Sequence, residues 1–511
     1  MSFDSPNLAT LINGRDILLD SIPMLSLDVL ADTMVAAVAA GQRVASMFAV
    51  STEDAQQAAE MYVILADDHQ SRLFGARARI EGGEFASLTP RCPQVQLFER
   101  EMAEQFGLKP LGHPWFKPVR YRRSWTGRDA WDRPADQAIL PGVGDFYSIQ
   151  GDEVHEVAVG PVHAGVIEPG HFRFQCHGEQ VFHLEIALGY QHRGVEEALI
   201  GGPTKRSMHY AETLAGDTTI AHGTSYCQVL EALGGCQKSA RAQSLRGIAL
   251  ELERLANHVG DLGALANDVG FLPTSSYCGR IRGDFLNMTA LLCGSRFGRG
   301  MIRPGGVGFD VDDARLTELL HRLDTAEKET ASAVNLLWDT PSVMARFEAT
   351  GPLPRQVAIE LGIVGPAARA SGLARDARHD LPSGIFHFAH LPVSTFDAGD
   401  VFARAYVRWL EIQQSIEFIR EQCRAMPSGA AQVAVGELAP NSLAIAINEG
   451  WRGEVCHVAI TDGNARFARY KVVDPSFHNW SALAYVLRNQ QISDFPLCNK
   501  SFNLSYCGHD L

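Results

Sequence analysis

The ten cysteines of this 511-residue chain are scattered singly, and no two of them form a C-x-x-C pair. Iron–sulfur clusters and structural zinc sites are usually held by cysteines at such close spacings. The sequence therefore offers no framework for either kind of metal centre.

An excess of positive charge is also missing. The chain has 45 Lys and Arg against 59 Asp and Glu, which gives a net charge of -14. A field of that sign repels phosphate backbones, so nucleic-acid binding is not expected. Glycine-rich strings such as "GVGF" at 306–309 match neither dinucleotide-binding nor Walker patterns, so nucleotide chemistry would belong to another subunit.

Long apolar runs and a signal peptide are absent as well. The most apolar early stretch, Leu25 to Val50, is interrupted by Asp28, Asp32 and Arg43, which would be costly in a membrane. This stretch predicts a packed helix. The N-terminus lacks a basic flank and a cleavage site. We expect the chain to reside in the cytoplasm and to meet a membrane only through partner subunits.

Three regions differ in their hydrophobic pattern. Residues 1–120 mix an apolar helix-like segment with β-rich runs such as "RVASMFAVS", which predicts a small α+β domain. Residues 121–150 are polar, carry scattered Pro and Gly, and predict a linker. Residues 151–511 open and close with strand-like alternation around long stretches of helical spacing, which predicts a mainly helical domain with small β-sheets.

Two sets of segments carry a family resemblance. The string "PQVQLFEREMAEQFGLKPLGHP" at 93–114 resembles the signature of the complex I 30-kDa subunit. Further segments are similar in order and spacing to the large subunit of energy-converting [NiFe]-hydrogenases and to its relative, the complex I 49-kDa subunit. These are "GPVHAGVIEPGHFRF" at 160–174, "LGYQHRGVEE" at 188–197, "ELERLANHVGD" at 251–261, "GSRFGRGMIRPGGV" at 294–307 and "GPAARASGLARDAR" at 365–378.

The fusion of both sets in one chain resembles the hydrogenase-4 and formate hydrogenlyase type of large subunit. That resemblance implies a peripheral subunit on the cytoplasmic side of the inner membrane. It implies a small partner subunit that carries a [4Fe–4S] cluster, and membrane subunits of a complex I-like or Mrp-like ion-translocating module. No cofactor bound by this chain itself is expected, although a quinone stays open as a ligand.

The resemblance also locates the four nickel-ligand positions of such hydrogenases. Alignment on "AH" at 221–222 puts the first pair at Ala215 and Thr218, and alignment on Asn503 and Asp510 puts the second pair at Ser505 and Gly508. A [NiFe] centre needs four soft thiolates, which none of these side chains supplies. Cys507 lies one residue away from a ligand position. We therefore expect a degenerate nickel site.

Three residues are candidates for proton chemistry in the emptied cavity. The resemblance implies a quinone-contacting role for His163, and Glu168 resembles a proton-passing carboxylate beside the hydrogenase site. Asp217, between the first two ligand positions, would line the same cavity. A strand-turn His and a solvated turn Glu explain the first two equally well. The Tyr of a complex I quinone site is replaced by Gly216, which leaves only Tyr210 and Tyr226 nearby.

Three functions remain open at this point. The first is a peripheral-arm subunit that couples electron transfer to ion translocation without nickel. The alternatives are a quinone-reducing subunit of the complex I type and a non-catalytic structural scaffold.

The sequence also makes one local structural prediction. Arg296, Arg299 and Arg303 recur at spacings of three and four residues and should share one helical face.

Overall fold

The structure of the chain, a computed structural model, describes residues 7–52, 58–163 and 167–511. The N-terminal region contains β1 (Ala9–Leu11), β2 (Asp16–Leu18), β3 (Met24–Leu25), α1 (Leu27–Ala39), β4 (Arg43–Ser51), β5 (Ala58–Asp67), β6 (Arg72–Glu81), β7 (Glu84–Ala86), α2 (Gln96–Phe106) and β8 (Lys109–Leu111). Residues 112–153, all of which are described, contain neither helix nor strand.

The rest of the chain begins with β9 (Val154–Val159), β10 (His171–His177), β11 (Gln180–Ala187), α3 (Val195–Leu199), α4 (Ser207–Glu212), α5 (Thr219–Leu233), α6 (Ala240–Asp268), α7 (Leu272–Cys293), β12 (Ile302–Arg303) and β13 (Gly306–Val307). It continues with α8 (Asp313–Trp338), α9 (Pro341–Phe347), α10 (Arg355–Glu360), α11 (Gly365–Ala370), α12 (Ala377–Asp380), α13 (Val401–Arg424), β14 (Ser442–Gly450), β15 (Gly453–Thr461), β16 (Phe467–Val473), α14 (Pro475–Val486), α15 (Phe495–Phe502) and α16 (Tyr506–Asp510). The predicted fold class, an α+β region followed by a mainly helical region with small sheets, is confirmed.

A five-stranded sheet forms the core of the N-terminal region, in the order β1-β6-β5-β4 with β3 parallel to β6. The sequence supports two predictions for residues 43–50, the end of a helix from Leu25 and the β-rich run "RVASMFAVS"; the structure confirms the strand, and the helix is wrong in its second half. The Ser26 hydroxyl caps the start of α1, but the helix ends at Ala39 and Gly41 turns the chain with a φ of 102°. The run that follows, β4, is buried along most of its length and rich in β-formers, so it pairs with β5 instead.

Long helices make the body of the second region, as their apolar spacing predicts. Helix α6 starts at the Ser239 N-cap and is buried along most of its 29 residues against α7 and α13. The predicted helical face of three arginines is wrong. Helix α7 ends at Cys293 because Gly294 adopts the left-handed conformation (φ 76°), and Arg303 lies in strand β12.

A second sheet joins the two ends of the chain. Its order is β16-β15-β14-β2, so an N-terminal strand pairs antiparallel with β14, and Leu18 lies opposite Ser442. The sheet supports the turn 450–453, which carries side chains into the candidate site. In the described ranges, no helix is both long and apolar enough to cross a membrane.

A buried cluster of charges holds the N-terminal region against this sheet. The carboxylate of Glu196, on α3, accepts from the Lys471 ammonium at 3.0 Å, the Arg469 guanidinium at 2.9 Å and the Gln105 amide at 2.8 Å. Lys471 also donates to Glu101 of α2 at 2.6 Å. Burial alone would raise the pKa of Glu196. The positive charges of Lys471 and Arg469 outweigh burial and hold that pKa well below its usual range.

We expect Glu196→Ala to destabilise the chain by about 3–5 kcal/mol, because it leaves Lys471 and Arg469 buried with fewer counter-charges. The matched control is Glu197→Ala, whose side chain is 52% exposed and pairs with Arg122 at the surface. That change should cost about 1 kcal/mol or less. Thermal and urea unfolding of the two variants measures the difference, and equal losses would contradict the structural role of the cluster.

Candidate functional site between two loops

Two loops meet at the positions that the sequence predicts for a degenerate metal site. The first, residues 213–218, lies between α4 and α5, and the second, residues 503–508, runs from the end of α15 into α16. Two arginine side chains hydrogen bond to both loops. The predicted positions Ala215, Thr218, Ser505 and Gly508 lie on these loops, which the fold brings together.

Arg452, in the turn between β14 and β15, binds both loops. Its two terminal nitrogens donate to the two carboxylate oxygens of Asp217 at 2.5 and 2.8 Å, and its Nε donates to the Asn503 carbonyl at 2.5 Å. Trp451 supports this geometry, since its ring lies 3.9 Å from the guanidinium and its Nε1 donates to the Asp217 carbonyl at 3.0 Å. Burial opposes ionisation of Asp217, but Arg452 outweighs it and lowers the pKa of that carboxyl.

A second cation, Arg193, also holds the loops. Its guanidinium donates to the carbonyls of Thr213 at 2.6 Å and Leu214 at 2.9 Å, and to the Cys507 carbonyl at 3.3 Å. Without Arg193, these three carbonyl oxygens would need water molecules as hydrogen-bond donors. Arg193 and Arg452 therefore each hydrogen bond to both loops and hold them together.

The four predicted ligand positions carry little donor chemistry. Ala215 is fully buried, and Gly508 has no side chain. The Thr218 hydroxyl donates to Asp217 at 3.2 Å. The Ser505 hydroxyl accepts from the Gly508 amide at 2.9 Å and so caps α16. Within the described ranges, no group of three or more His, Cys, Asp or Glu side chains is arranged to hold a metal ion.

Asp474 fills the space beside Gly508, and the sequence did not single it out. A Cβ added at Gly508 would lie 2.6 Å from the Asp474 carboxyl carbon and from its Oδ2. The carboxylate accepts from the Ser476 amide at 2.8 Å and from His222 Nε2 at 3.0 Å. Burial opposes ionisation, but His222 and Arg452 lower the pKa of Asp474. The only signal in the sequence is "DPS" at 474–476, an ordinary helix N-cap.

Glu168 reaches the second loop and His163 does not. The Glu168 carboxylate accepts from the amides of Tyr506 at 3.3 Å and Cys507 at 3.2 Å. Burial and then this neighbouring carboxylate raise the pKa of the Cys507 thiol to about 12. The His163 ring instead bonds the Gly170 carbonyl at 2.9 Å and packs against Phe172. Among the described residues, no hydrogen bond joins His163 to either loop. Of the three proton candidates, the fold thus brings Glu168 and Asp217 to the loops.

Glu253, on α6, is a second carboxyl that sequence reasoning missed. It accepts from the amides of Ile220 at 2.7 Å and Ala221 at 3.2 Å, at the N-terminus of α5. Burial is the main cause that raises the pKa of Glu253 to about 8, and the nearby charge of Asp217 adds to it. A protonatable carboxyl therefore lies directly behind the first loop. Glu253 is one of several acidic residues in a helical stretch, and no sequence pattern indicates that it lies behind the first loop.

Comparison with known proteins identifies the family. A family profile described as "Respiratory-chain NADH dehydrogenase, 49 Kd subunit" matches residues 268–442 and 431–510, and one described as "Respiratory-chain NADH dehydrogenase, 30 Kd subunit" matches residues 27–133. The chain belongs to the family in which these two kinds of subunit are fused, as its sequence motifs predict.

Individual relatives agree with that assignment. The chain is 30% identical over 439 residues to formate hydrogenlyase subunit 5 of Escherichia coli, which covers 83% of this chain and 76% of the relative. It is 30% identical to hydrogenase-4 component G of the same organism, over 83% of this chain and 75% of the relative. It is 27% identical to the membrane-bound hydrogenase subunit alpha of Pyrococcus furiosus, over 68% of this chain and 85% of the relative.

We expect Gly508→Ala to destabilise the chain by about 1–3 kcal/mol, because the new methyl group would overlap the Asp474 carboxylate. In an Asp474→Ala background the same change should cost much less, and a double-mutant cycle measures that coupling. Gly279→Ala is the matched control, since Gly279 is also helical but a Cβ there meets no atom within 4 Å. Independent effects of Gly508→Ala and Asp474→Ala would contradict the contact.

The raised pKa of Glu253 predicts a pH-dependent loss of stability. The folded chain holds this proton up to about pH 8, whereas the unfolded chain releases it near the ordinary value of 4.5. The contribution of Glu253 to folding therefore becomes less favourable as pH rises from 4.5 to 8. Glu253→Gln should flatten the fall of the unfolding midpoint between pH 5 and pH 9. Glu318→Gln, at the surface of α8, is the control; identical pH profiles for Glu253→Gln and wild type would contradict the prediction.

Proposed function

We propose that this chain is a peripheral-arm subunit of a membrane-bound respiratory or hydrogenase-4-like oxidoreductase complex. It couples electron transfer from a partner iron–sulfur subunit to ion translocation by membrane subunits, and it has no [NiFe] centre of its own. It resides on the cytoplasmic side of the membrane. Similarity over most of the chain to formate hydrogenlyase subunit 5 and hydrogenase-4 component G supports this role.

The observation that carries the proposal is the chemistry of the two loops. A nickel–iron centre needs four thiolates, and the positions that would supply them hold Ala215, Thr218, Ser505 and Gly508. The Asp474 carboxylate lies against Gly508, so a ligand side chain at that position would collide with it. The residues present therefore do not fit the centre. The lone Cys507 thiol does not replace it, because one sulfur cannot supply four thiolates.

The groups around the loops suit proton exchange instead. Glu168 binds the second loop, Asp217 lies on the first, and Glu253 lies behind the first loop with a pKa of about 8. A carboxyl with such a pKa can hold and release a proton near neutral pH. In this account the state of the partner cluster changes the protonation of Glu253, and the loops, held by Glu168 and Asp217, transmit that change to the membrane subunits. His163 belongs to the same proposal as a loop residue that faces a partner or a quinone.

The quinone alternative lacks its second hydrogen-bonding side chain. Gly216 stands where a Tyr is expected. Tyr226 is buried, which raises the pKa of its hydroxyl, and Tyr210 is partly buried against the hydrophobic core. A Cβ added at Gly216 would meet no atom within 4 Å, so a side chain can begin there without a clash. We therefore rank quinone reduction below proton-coupled transmission.

The test is ion translocation by the assembled complex in membrane vesicles. Glu168→Gln and Asp217→Asn should each lower translocation on the order of tenfold or more while the complex still assembles. Glu153→Gln, at an exposed side chain that pairs with His177, is the control and should have no effect. Full translocation in both loop variants would favour the scaffold alternative. Loss of quinone-dependent electron transfer in His163→Ala alone would favour the quinone alternative.

A further inference from the structure

A cleft of about 270 Å³ lies where the N-terminal region meets the second region. Its walls come mainly from α2, the segment 115–121, strand β11 and helix α14, and each of these contributes apolar side chains. Two tryptophans and two tyrosines line it: Trp115, Trp480, Tyr121 and Tyr485. Cavities that bind drug-sized ligands span about 300–1,000 Å³, so this cleft suits a smaller molecule.

The charge of the cleft is opposite in sign to that of the chain. Its lining holds three cations, Arg100, Lys117 and Arg488, and one carboxylate, Glu185, in a protein of net charge -14. Lys117 is neutralised locally, since its ammonium donates to Glu185 at 2.6 Å and lies 4.3 Å from the Trp115 ring. Among the residues that the structure describes, no carboxylate forms a salt bridge with Arg100 or Arg488.

Arg100 is fixed at this cleft without a counter-charge. Its Nε donates to the Lys117 carbonyl at 2.7 Å and its Nη2 to the Pro118 carbonyl at 2.9 Å, whereas Nη1 makes no hydrogen bond within the described ranges. Other interior arginines have a carboxylate partner, as Arg246 has in Glu231. Burial lowers the pKa of Arg100, and nearby acidic groups offset that effect only in part. An anion in the cleft would supply the missing charge.

Tyr121 and Arg488 add two further polar groups. Tyr121 has a φ of 56°, a left-handed conformation that a bulky residue keeps only where the surrounding structure imposes it. Its hydroxyl makes no hydrogen bond to any residue described, and burial raises its pKa to about 12, so it remains a donor at neutral pH. Arg488 is exposed at the rim, and its guanidinium lies 5.4 Å from the Tyr485 ring.

This combination of groups suits one carboxylate on a flat apolar body. A guanidinium N–H and a phenol O–H are good donors to a carboxylate, and aromatic walls pack well against a flat ring. Inorganic phosphate fits less well, because Glu185 would repel its second negative charge and the apolar walls would leave part of its oxygens without donors.

We propose that this cleft binds a small organic carboxylate, whose charged end lies on Arg100 and Tyr121 and whose apolar body packs against the aromatic walls. The inference is independent of the proposed function, because it rests on no residue of the two loops. Since the walls come from both regions of the chain, the bound acid also joins α2 to β11 and α14. It therefore stabilises the contact between the two regions.

Fluorine-19 NMR of the full chain with 4-fluorobenzoate tests the site. This acid should bind about tenfold or more tightly than the neutral 4-fluorobenzamide, because only the acid pairs with a guanidinium. An equal concentration of inorganic phosphate should not displace it. Absence of binding, equal binding of the acid and the amide, or displacement by phosphate overturns the inference.

Substitutions in the cleft locate the bound acid. Arg100→Lys keeps the charge but loses the planar donors, and it should weaken binding about tenfold. Tyr121→Phe should weaken it about fivefold through loss of one hydrogen bond. Arg488→Gln should weaken it about threefold, since a charge at the rim acts through solvent. Arg424→Gln, at the exposed end of α13, is the control and should change nothing.

Two outcomes with these proteins decide against the site. Unchanged affinity in both Tyr121→Phe and Arg488→Gln overturns the inference, whether or not Arg100→Lys folds. The assembled complex should bind 4-fluorobenzoate as the full chain does. Loss of binding on assembly would show that a segment of a partner subunit occupies the cleft, which also overturns the inference.

Discussion

The salt bridge between Arg452 and Asp217 is the interaction on which the candidate site depends. It joins the β14–β15 turn to the first loop, and through the Asn503 carbonyl it also reaches the second. Arg452 is buried and Asp217 is about one-third exposed, so loss of Asp217 would leave a buried guanidinium without its counter-charge. The turn is itself anchored, since Arg254 donates to the carbonyls of Glu449 and Gly450. A chain of buried cations therefore runs from the helical body to the loops.

Charge balance explains how such a site persists without thiolates. A metal centre holds its surrounding anions together by its own positive charge. Here Asp217, Asp474 and Glu168 supply the anions. Arg452 supplies the opposing charge, and His222 and backbone amides supply hydrogen bonds. These contacts hold the two loops in their closed arrangement.

The hydrophobic pattern of short sequence segments was enough to predict most of the helices and strands. The alternation around His171–His177 and the helical spacing of 240–268 are short-range signals, and the structure confirms both. The C-terminal strands β15 and β16 were predicted from strand-like alternation for the same reason. The errors arose where one glycine decides the outcome, as at Gly41 and Gly294, whose positive φ angles end a helix that the pattern would continue.

The site was less predictable because its contacts are distant in sequence. Family motifs led to Asp217 and Glu168, but His222 meets Asp474 across 252 positions, and Arg452 meets Asp217 across 235. No spacing rule connects such residues. Helix caps at Asp474 and tight turns at Arg452 look ordinary until the fold brings them together.

Nickel content of the assembled complex, measured by mass spectrometry after purification with this chain intact, tests the account most directly. The account holds that ion pairs and a carboxylate close the loops in place of a metal, so nickel should be far below one atom per chain. About one nickel atom per chain, bound at these loops and lost on substitution of Cys507, would contradict it.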